Sequence, residues 1–474
     1  MKKIILKTTC TILALLIIPV ALFIIGLTTP QQFGATYYGV LPKMVERLKT
    51  TEGKRIVVVG NSAVAFGVNG ELIESEIEGY TVCPFGLYGA VGTKAMMDLS
   101  RENIKEGDIV ILAPEQGAQS LSLYFNGETL WKCLDGNFDL LTRISFDDIA
   151  SMIGSYPAFI SQKFGYLSTN SAPVPEGVYA ASSFNERLDM IYDRPYNQML
   201  MGFDSVERVS YDKSVMTAEF SEYVNEYNDF VTSKGATLLY GFCPINIQGV
   251  MPNTTEEDID AFYDFLDETL NCEILGSPHN YLFDSDWFYD SNVHVNTAGS
   301  VVYTRQLVQD IKVYLGDSSK TEIVIPEKPV VPEEDVTGED GKDAALFEYE
   351  ETSYGYNIVA LTEAGKQVTS IEIPDFYNGK KVLAFGADVF AGNTLIQEIH
   401  IGKNIKSILD DSFNGCTSLK SIYMSKEAKA SDCAVYSGLF NGVTGCKIYV
   451  PKAEMTNYIN DYWWGRHGSF IEAY

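Results

Sequence analysis

The chain has 474 residues, 46% of them hydrophobic, more than one ordinary core accommodates, so two folded units are expected. Its formal net charge of −28 excludes nucleic acid and anionic lipid headgroups as electrostatic partners, since both demand a basic footprint. The eight cysteines show no CxxC spacing, which leaves zinc and dithiol redox chemistry without support; Cys243 with Cys272, or Cys433 with Cys446, can pair in an oxidising compartment or stay as buried free thiols.

At the N-terminus, Met1-Lys2-Lys3 and Lys7 precede an uncharged run from Thr8 to Leu27, close to the roughly 20 residues that span a bilayer as a helix. Lysines on that side predict a cytoplasmic N-terminus, with everything after Thr28 outside the cell. A cleavable signal has an apolar core of about 7–15 residues and then a small-x-small site. This run is longer, and Ala21-Leu22-Phe23 and Phe33-Gly34-Ala35 fit that site poorly. Residues 1–29 are therefore expected to form an uncleaved single-pass anchor rather than a cleaved signal.

Residues 30–315 alternate short apolar runs with helical patterns. Arg55–Val59, Thr81–Cys83, Asp108–Leu112, Ala236–Tyr240 and Glu273–Leu275 read as strands of a parallel sheet covered on both faces. Thr254–Leu270, acidic in its first turn, and Thr297–Leu315 read as helices. The fold class is α/β, with the aromatic-rich stretch Leu121–Val231 as an insertion of helices and loops over the sheet. Residues 316–344, rich in Pro, Glu and Asp, read as an acidic linker that holds two domains apart.

Residues 345–474 contain a repeat. Val389–Ile401 aligns with Ser412–Met424 at an offset of 23 residues from Phe390 to Phe413, inside the range of about 20–29 for leucine-rich repeats. Apolar residues recur as Ile396/Ile399/Ile401 and Leu419/Ile422/Met424. Val368/Ile371/Ile373 upstream and Ile448/Val450 downstream extend the stack, and the terminal segment to Tyr474 caps it. The pattern resembles bacterial BspA-type leucine-rich repeats over about Val368–Tyr474, a class whose association with adhesion implies surface binding.

Histidine occurs four times. His400 lies in a repeat strand and His467 in the cap, both positions for structural or surface roles, and His279 lies in a loop. His294 follows Asp286 and Asp290 in a loop at a sheet edge, where a carboxylate beside an imidazole supplies what a general base needs. Ser62, in Gly60-Asn61-Ser62, falls just past the carboxyl end of the first strand, where open α/β sheets keep their sites. It also suits an N-cap or turn serine. Gly86 or Gly89, after the second strand, can present a backbone N–H to an oxyanion. Asn246, after the fourth strand, lies on the same edge.

These blocks, over about Lys54–Leu315 without the insertion, resemble the SGNH/GDSL hydrolase family, and more narrowly its membrane-anchored branch related to DltD and alginate O-acetylation proteins. The resemblance implies Ser62 as nucleophile, His294 as base, Asp290 or Asp286 as its partner, and Gly86 or Gly89 at the oxyanion. It departs at the third block, where Ala113-Pro114-Glu115-Gln116 replaces the usual Asn and Gln116 is the candidate donor. The implied protein is a flavodoxin-like esterase or O-acyltransferase needing no cofactor. Its implied partners are an acylated cell-surface polysaccharide, a membrane-bound O-acyltransferase and, through the N-terminal helix, the membrane. An inactive scaffold whose repeats supply adhesion is the competing reading.

Overall fold

The computed structural model describes residues 20–474 apart from 22, 200–201, 205–206, 332–336, 353, 387, 410, 431–432, 436–438 and 461–463. Most of the expected anchor therefore lies outside the described residues. Among the described residues no helix is long and apolar enough to cross a membrane. The chain divides into two compact units, one reaching Asn197 and resuming over Arg208–Pro329, the other made of Gln198–Glu207 and Val330–Tyr474.

The first unit is built on five parallel strands: β1 (Lys54–Gly60), β2 (Tyr80–Gly86), β3 (Ile109–Ala113), β4 (Thr237–Tyr240) and β5 (Glu273–Ile274), in spatial order β2-β1-β3-β4-β5. Unbroken Val, Ile and Leu runs suit strands with both faces covered, and Ile56–Val59 and Ile109–Ala113 are all buried. Covering helices include α1 (Leu41–Thr50), α2 (Ser62–Gly67), α3 (Gly70–Glu76) and α4 (Thr93–Arg101). The insertion contributes α5 (Gly127–Cys133), α6 (Phe146–Ile153) and α7 (Tyr156–Thr169), followed by α8 (Ala218–Ser233). α9 (Glu256–Thr269) starts at a capping box in which Thr255 and Asp258 satisfy each other's backbone N–H. The short hairpin β6 (Phe288–Ser291) and β7 (His294–Val295) leads into α10 (Thr297–Tyr314), whose first turn donates Gly299 N–H to Asn296 Oδ1 at 2.8 Å.

At the amino edge of the sheet, Arg55 and Asp108 form an ion pair with both side chains fully buried; Arg55 Nε donates to Asp108 Oδ1 at 2.9 Å and Nη2 to Asn103 O at 2.7 Å. A buried charge pair of this kind is tolerated because every polar hydrogen finds an acceptor. It joins β1 to the start of β3 at the end remote from the candidate site.

One expectation needs correction. The acidic stretch 316–344 is not an extended spacer throughout: its apolar Ile323 is buried, Arg305 Nε donates to Ile323 O at 3.0 Å, and Glu322 N donates to Glu76 Oε1 at 3.0 Å. Ile323 gives this part of the stretch something to bury, so it lies on the first unit. Of the two states open to the cysteines, Cys243, Cys272 and Cys446 take that of the unpaired thiol. Burial pushes the Cys243 thiol up to about 12, which leaves it unreactive.

In the second unit, β8 (Phe347–Thr352) pairs antiparallel with β9 (Gly355–Leu361), Phe376–Tyr377 folds back antiparallel on Lys380–Lys381, and the remaining described strand pairs are parallel. One sheet carries β10 (Ser370–Glu372), β12 (Glu398–His400), β14 (Ser421–Tyr423), β16 (Lys447–Val450) and β17 (Ile471–Ala473). The other continues from β8 and β9 through β11 (Lys380–Phe385), β13 (Ser407–Ile408) and β15 (Ala434–Val435). Lateral register puts Ile371, Ile399, Ile422, Ile448 and Ile471 in one buried row. The repeat aromatics Phe390, Phe413 and Phe440 form a second row, with ring centroids 5.6 and 5.7 Å apart. Because each repeat buries its apolar face only against its neighbours, Ile422→Val in the middle of the row is expected to cost about 0.5–1.5 kcal/mol, read as a lower denaturant midpoint at unchanged slope.

Candidate functional site

The carboxyl ends of β1 and β3 are paired in register, Gly60 opposite Ala113. Two residues beyond that pair on each chain lie Ser62 and Glu115, and their side chains meet. Ser62 Oγ donates to Glu115 Oε1 at 2.7 Å, and the same oxygen accepts Ala63 N–H at 3.0 Å. Ser120 Oγ donates to Glu115 Oε2 at 3.3 Å. The carboxylate thus sits over the N-terminus of α2, the position at which backbone N–H groups attract negative charge. Asn61 is fully buried. Its Oδ1 accepts from Thr93 Oγ1 at 3.0 Å and from Glu115 N at 3.3 Å, whereas its Nδ2 has no hydrogen-bond partner among the described residues.

The second half of the site comes from the β6–β7 hairpin. His294 Nδ1 and Asp290 Oδ1 are 2.7 Å apart, and Tyr179 Oη donates to Asp290 Oδ2 at 2.8 Å. Burial raises the Asp290 carboxyl, but the hydrogen bond and charge of His294 and the Tyr179 hydroxyl outweigh it and hold the group below the usual carboxylate range. Burial, reinforced by the Asp290 charge, pushes the Tyr179 phenol far up, so it stays a donor. The His294 ring stacks on Phe66 with centroids 4.0 Å apart and planes 11° from parallel. Phe66 is one helical turn after Ser62 on α2, and residues four apart share a helix face. The imidazole therefore lies beside the face that Ser62 opens. Among the described residues no hydrogen bond joins Ser62 to His294.

The other sequence candidates fall as follows. Asp286 faces Lys328, with Nζ at 3.6 Å from its Oδ2, so Asp290 alone bonds the His294 ring. Gln116 commits its Nε2 to Ser210 O at 3.0 Å, and its neighbour Glu115 is the third-strand residue that reaches Ser62. A side chain at Gly86 would meet Val64 Cβ at 2.4 Å and Asn61 O at 2.6 Å, so this glycine lets β2 pack against the turn that carries Ser62. At Gly89 a side chain would come within 3.1 Å of Glu115 Oε2; this glycine borders the site. Asn246 caps a short turn through Oδ1, which accepts Gln248 N–H at 3.1 Å. His279 pairs with Asp260 at 2.8 Å, and His400 with Glu398 at 2.7 Å. No group of three or more metal-ligating side chains occurs among the described residues.

Two residues that shape this site escaped the sequence reading. Glu115 was findable from strand register. Arg194, in the insertion, carried no local signal. Its buried guanidinium donates from Nη2 to Phe66 O at 3.1 Å, from Nε to Val295 O at 3.1 Å and from Nη1 to Tyr192 O at 3.0 Å, and lies over the Phe66 ring. It ties the end of α2 to the strand that bears His294. Burial lowers it to about 10, so it remains cationic at neutral pH. Lysine has one nitrogen where three carbonyls need the planar fork. Arg194→Lys is therefore expected to displace the hairpin and destabilise the unit by about 1–3 kcal/mol, the cost of a buried acceptor left unpaired, measured by denaturant unfolding.

No protein-family model and no curated protein matches the chain. Among solved structures, it is similar to the YxiM protein of Bacillus subtilis at 13% identity and a TM-score of 0.27, over 56% of this chain and 58% of that one. A leucine-rich cell surface protein from Faecalibacterium prausnitzii matches at 18% identity and 0.17, over 24% of this chain and 33% of that one. A leucine-rich repeat protein from Bacteroides capillosus matches at 17% and 0.19, over 24% of this chain and 99% of that one. The chain thus spans 58% and 33% of the first two proteins. Several structural neighbours are leucine-rich repeat proteins, and scores of this size carry no argument about activity.

Proposed function

We propose that the first unit is an extracytoplasmic, membrane-anchored esterase or O-acyltransferase of SGNH type acting on acylated cell-surface glycans. The observation that carries this reading is the Asp290-held imidazole of His294 stacked on Phe66, one turn from Ser62 on the same helix. With its Nδ1 proton directed at Asp290, the ring offers Nε2 as base. In the reaction Ser62 turns from Glu115 toward His294 and gives up its proton to Nε2. Its oxygen attacks the acyl carbonyl carbon, and the ester C–O bond breaks as His294 returns the proton to the leaving alkoxide. Water or a second glycan hydroxyl then reverses the sequence on the acyl-enzyme. The oxyanion would take the Ala63 N–H that Glu115 holds at rest, with the unpaired Asn61 Nδ2 as a second donor. An unpaired buried donor costs about 1–3 kcal/mol in the resting protein, and an arriving oxyanion would relieve it.

A second reading rests on the same contacts: Ser62 is bound by a carboxylate rather than by the base, which suits an inactive α/β unit and a surface-binding role for the repeats. Hydrolysis of a short-chain aryl acetate by the full chain separates the two. Activity lost in both Ser62→Ala and His294→Ala is the expected result. Activity absent from the wild type and from the Glu115→Gln variant would leave the binding reading.

A further inference from the structure

The end of the N-terminal apolar run is built into the first unit. Residues 20–28 are helical where described, and Phe23 points inward, its ring 4.6 Å from that of Tyr156 and 6.2 Å from that of Trp131. Tyr156 Oη donates to Phe23 O at 2.7 Å. Lys163, on α7, donates to Gly26 O at 3.1 Å, to Thr29 O at 3.0 Å and to Asp135 Oδ1 at 2.6 Å, with the lysine and aspartate side chains fully buried. Asp135 Oδ2 in turn accepts the N–H groups of Gln32 and Phe33, at 2.6 and 3.2 Å. A cation on the last carbonyls of a helix matches the negative end of its dipole. Gly26 admits no side chain, because a Cβ there would lie 2.0 Å from Tyr156 Oη and 2.3 Å from Ile160 Cδ1. Removing residues before Phe33 would strand a buried lysine and its carboxylate without these backbone partners, which destabilises a buried ion pair.

Around this clamp the surface changes character. Between Asp148 and Glu176 the only charged residue is Lys163, whose charge is spent inside, and Asp148 itself pairs with Lys94. The outer face of α6 and α7 shows Phe146, Ile153, Pro157 and Ala158 to solvent, and the clamped helix adds Val20, Ile24 and Ile25. Phe146 is 82% exposed and Ile153 56%. Asp147, beside Phe146, is the one exposed charge from 146 to 162, and a face this largely apolar on a chain of net charge −28 suits neither an acidic nor a basic partner. It adjoins the point at which the apolar residues 8–19 leave the described structure. Exposed apolar surface of this kind marks an interaction site; apolar area buried at the headgroup boundary contributes to membrane binding in its own right, and with no basic residues here to attract anionic lipid it is the contribution on offer.

We infer that the N-terminal helix is retained, fastened by Lys163 and Asp135, and that the outer face of α6 and α7 rests on the uncharged lipid surface beside it. This rests on the reading of residues 8–27 as a membrane anchor and is independent of catalysis. The test uses the full chain in phosphatidylcholine vesicles doped with a phosphatidylcholine that bears an acyl-chain diazirine; after irradiation, lipid adducts are mapped by peptide mass spectrometry. The expected result is an intact N-terminus, adducts within 8–27 and also within 146–162, and none on α9. In the double variant Ile153→Glu with Ala158→Glu, whose changes lie on exposed positions, adducts within 146–162 fall at least fivefold while those within 8–27 persist. Adducts confined to 8–27 would overturn the lipid-facing assignment and leave the anchor standing. A mature chain starting beyond Thr29, or one that does not float with the vesicles, would overturn both.

Discussion

Replacing Asp290 by asparagine is expected to lower kcat for ester hydrolysis by about 10⁴-fold with little change in KM, the size of effect seen when a triad carboxylate loses its charge but keeps its shape. Nothing in the hairpin needs to move for this to happen. Phe66 still holds the ring by stacking and Arg194 still ties β7 to α2. What changes is the proton: an asparagine amide donates toward Nδ1, which places the ring hydrogen on Nε2 and removes the base facing Ser62. Stability gives an independent check. The folded Asp290 carboxyl lies below its usual value, so it contributes stability that is fully present above the unfolded carboxylate value of about 3.9 and is lost as pH falls through the depressed folded value. The gap in unfolding free energy between wild type and Asp290→Asn should therefore shrink on acidification below about pH 4. A kcat within tenfold of wild type at neutral pH would remove His294 from the base role.

What the sequence made legible follows the range of the interactions involved. The strands of the first unit stand out because each is a short unbroken apolar run, and the repeat stands out because equivalent residues recur at a spacing of 23. Asp290 and His294 are four residues apart, so their partnership is a local matter of one hairpin. Ser62 with Glu115 is separated by 53 residues, and their meeting depends on β1 and β3 being neighbours in one particular register. In the third block the residue that reaches Ser62 is an acceptor, Glu115, while the candidate donor Gln116 is engaged elsewhere. Pro114 ends β3, and the chain then turns Glu115 toward Ser62 and Gln116 toward Ser210. Arg194 escapes any local reading, since its three acceptors come from an insertion loop, a helix end and a hairpin. The acidic linker misled for a compositional reason: its charge hides the short apolar stretch around Ile323 that finds a place on the first unit.

Glu115→Gln should raise kcat by about 10²–10³, the magnitude associated with a single oxyanion-hole donor. In the resting protein the carboxylate occupies the acceptor position at Ala63 N–H and holds the Ser62 hydroxyl away from the imidazole. Both contacts oppose chemistry, since a negative charge beside a developing oxyanion is repulsive in a site where Ser62 is 4% exposed and solvent screens little. The glutamine amide keeps the volume and can still accept from Ala63 N–H, but it adds N–H donors and removes the charge. Its bond to Ser62 is also weaker than one to an ionised acceptor, which frees the hydroxyl to turn toward His294. Steady-state kinetics of both proteins side by side at neutral pH read the effect directly. If Glu115→Gln instead loses activity to the level of Ser62→Ala, the carboxylate is the group that takes the serine proton, and the Asp290–His294 pair serves to position rather than to abstract.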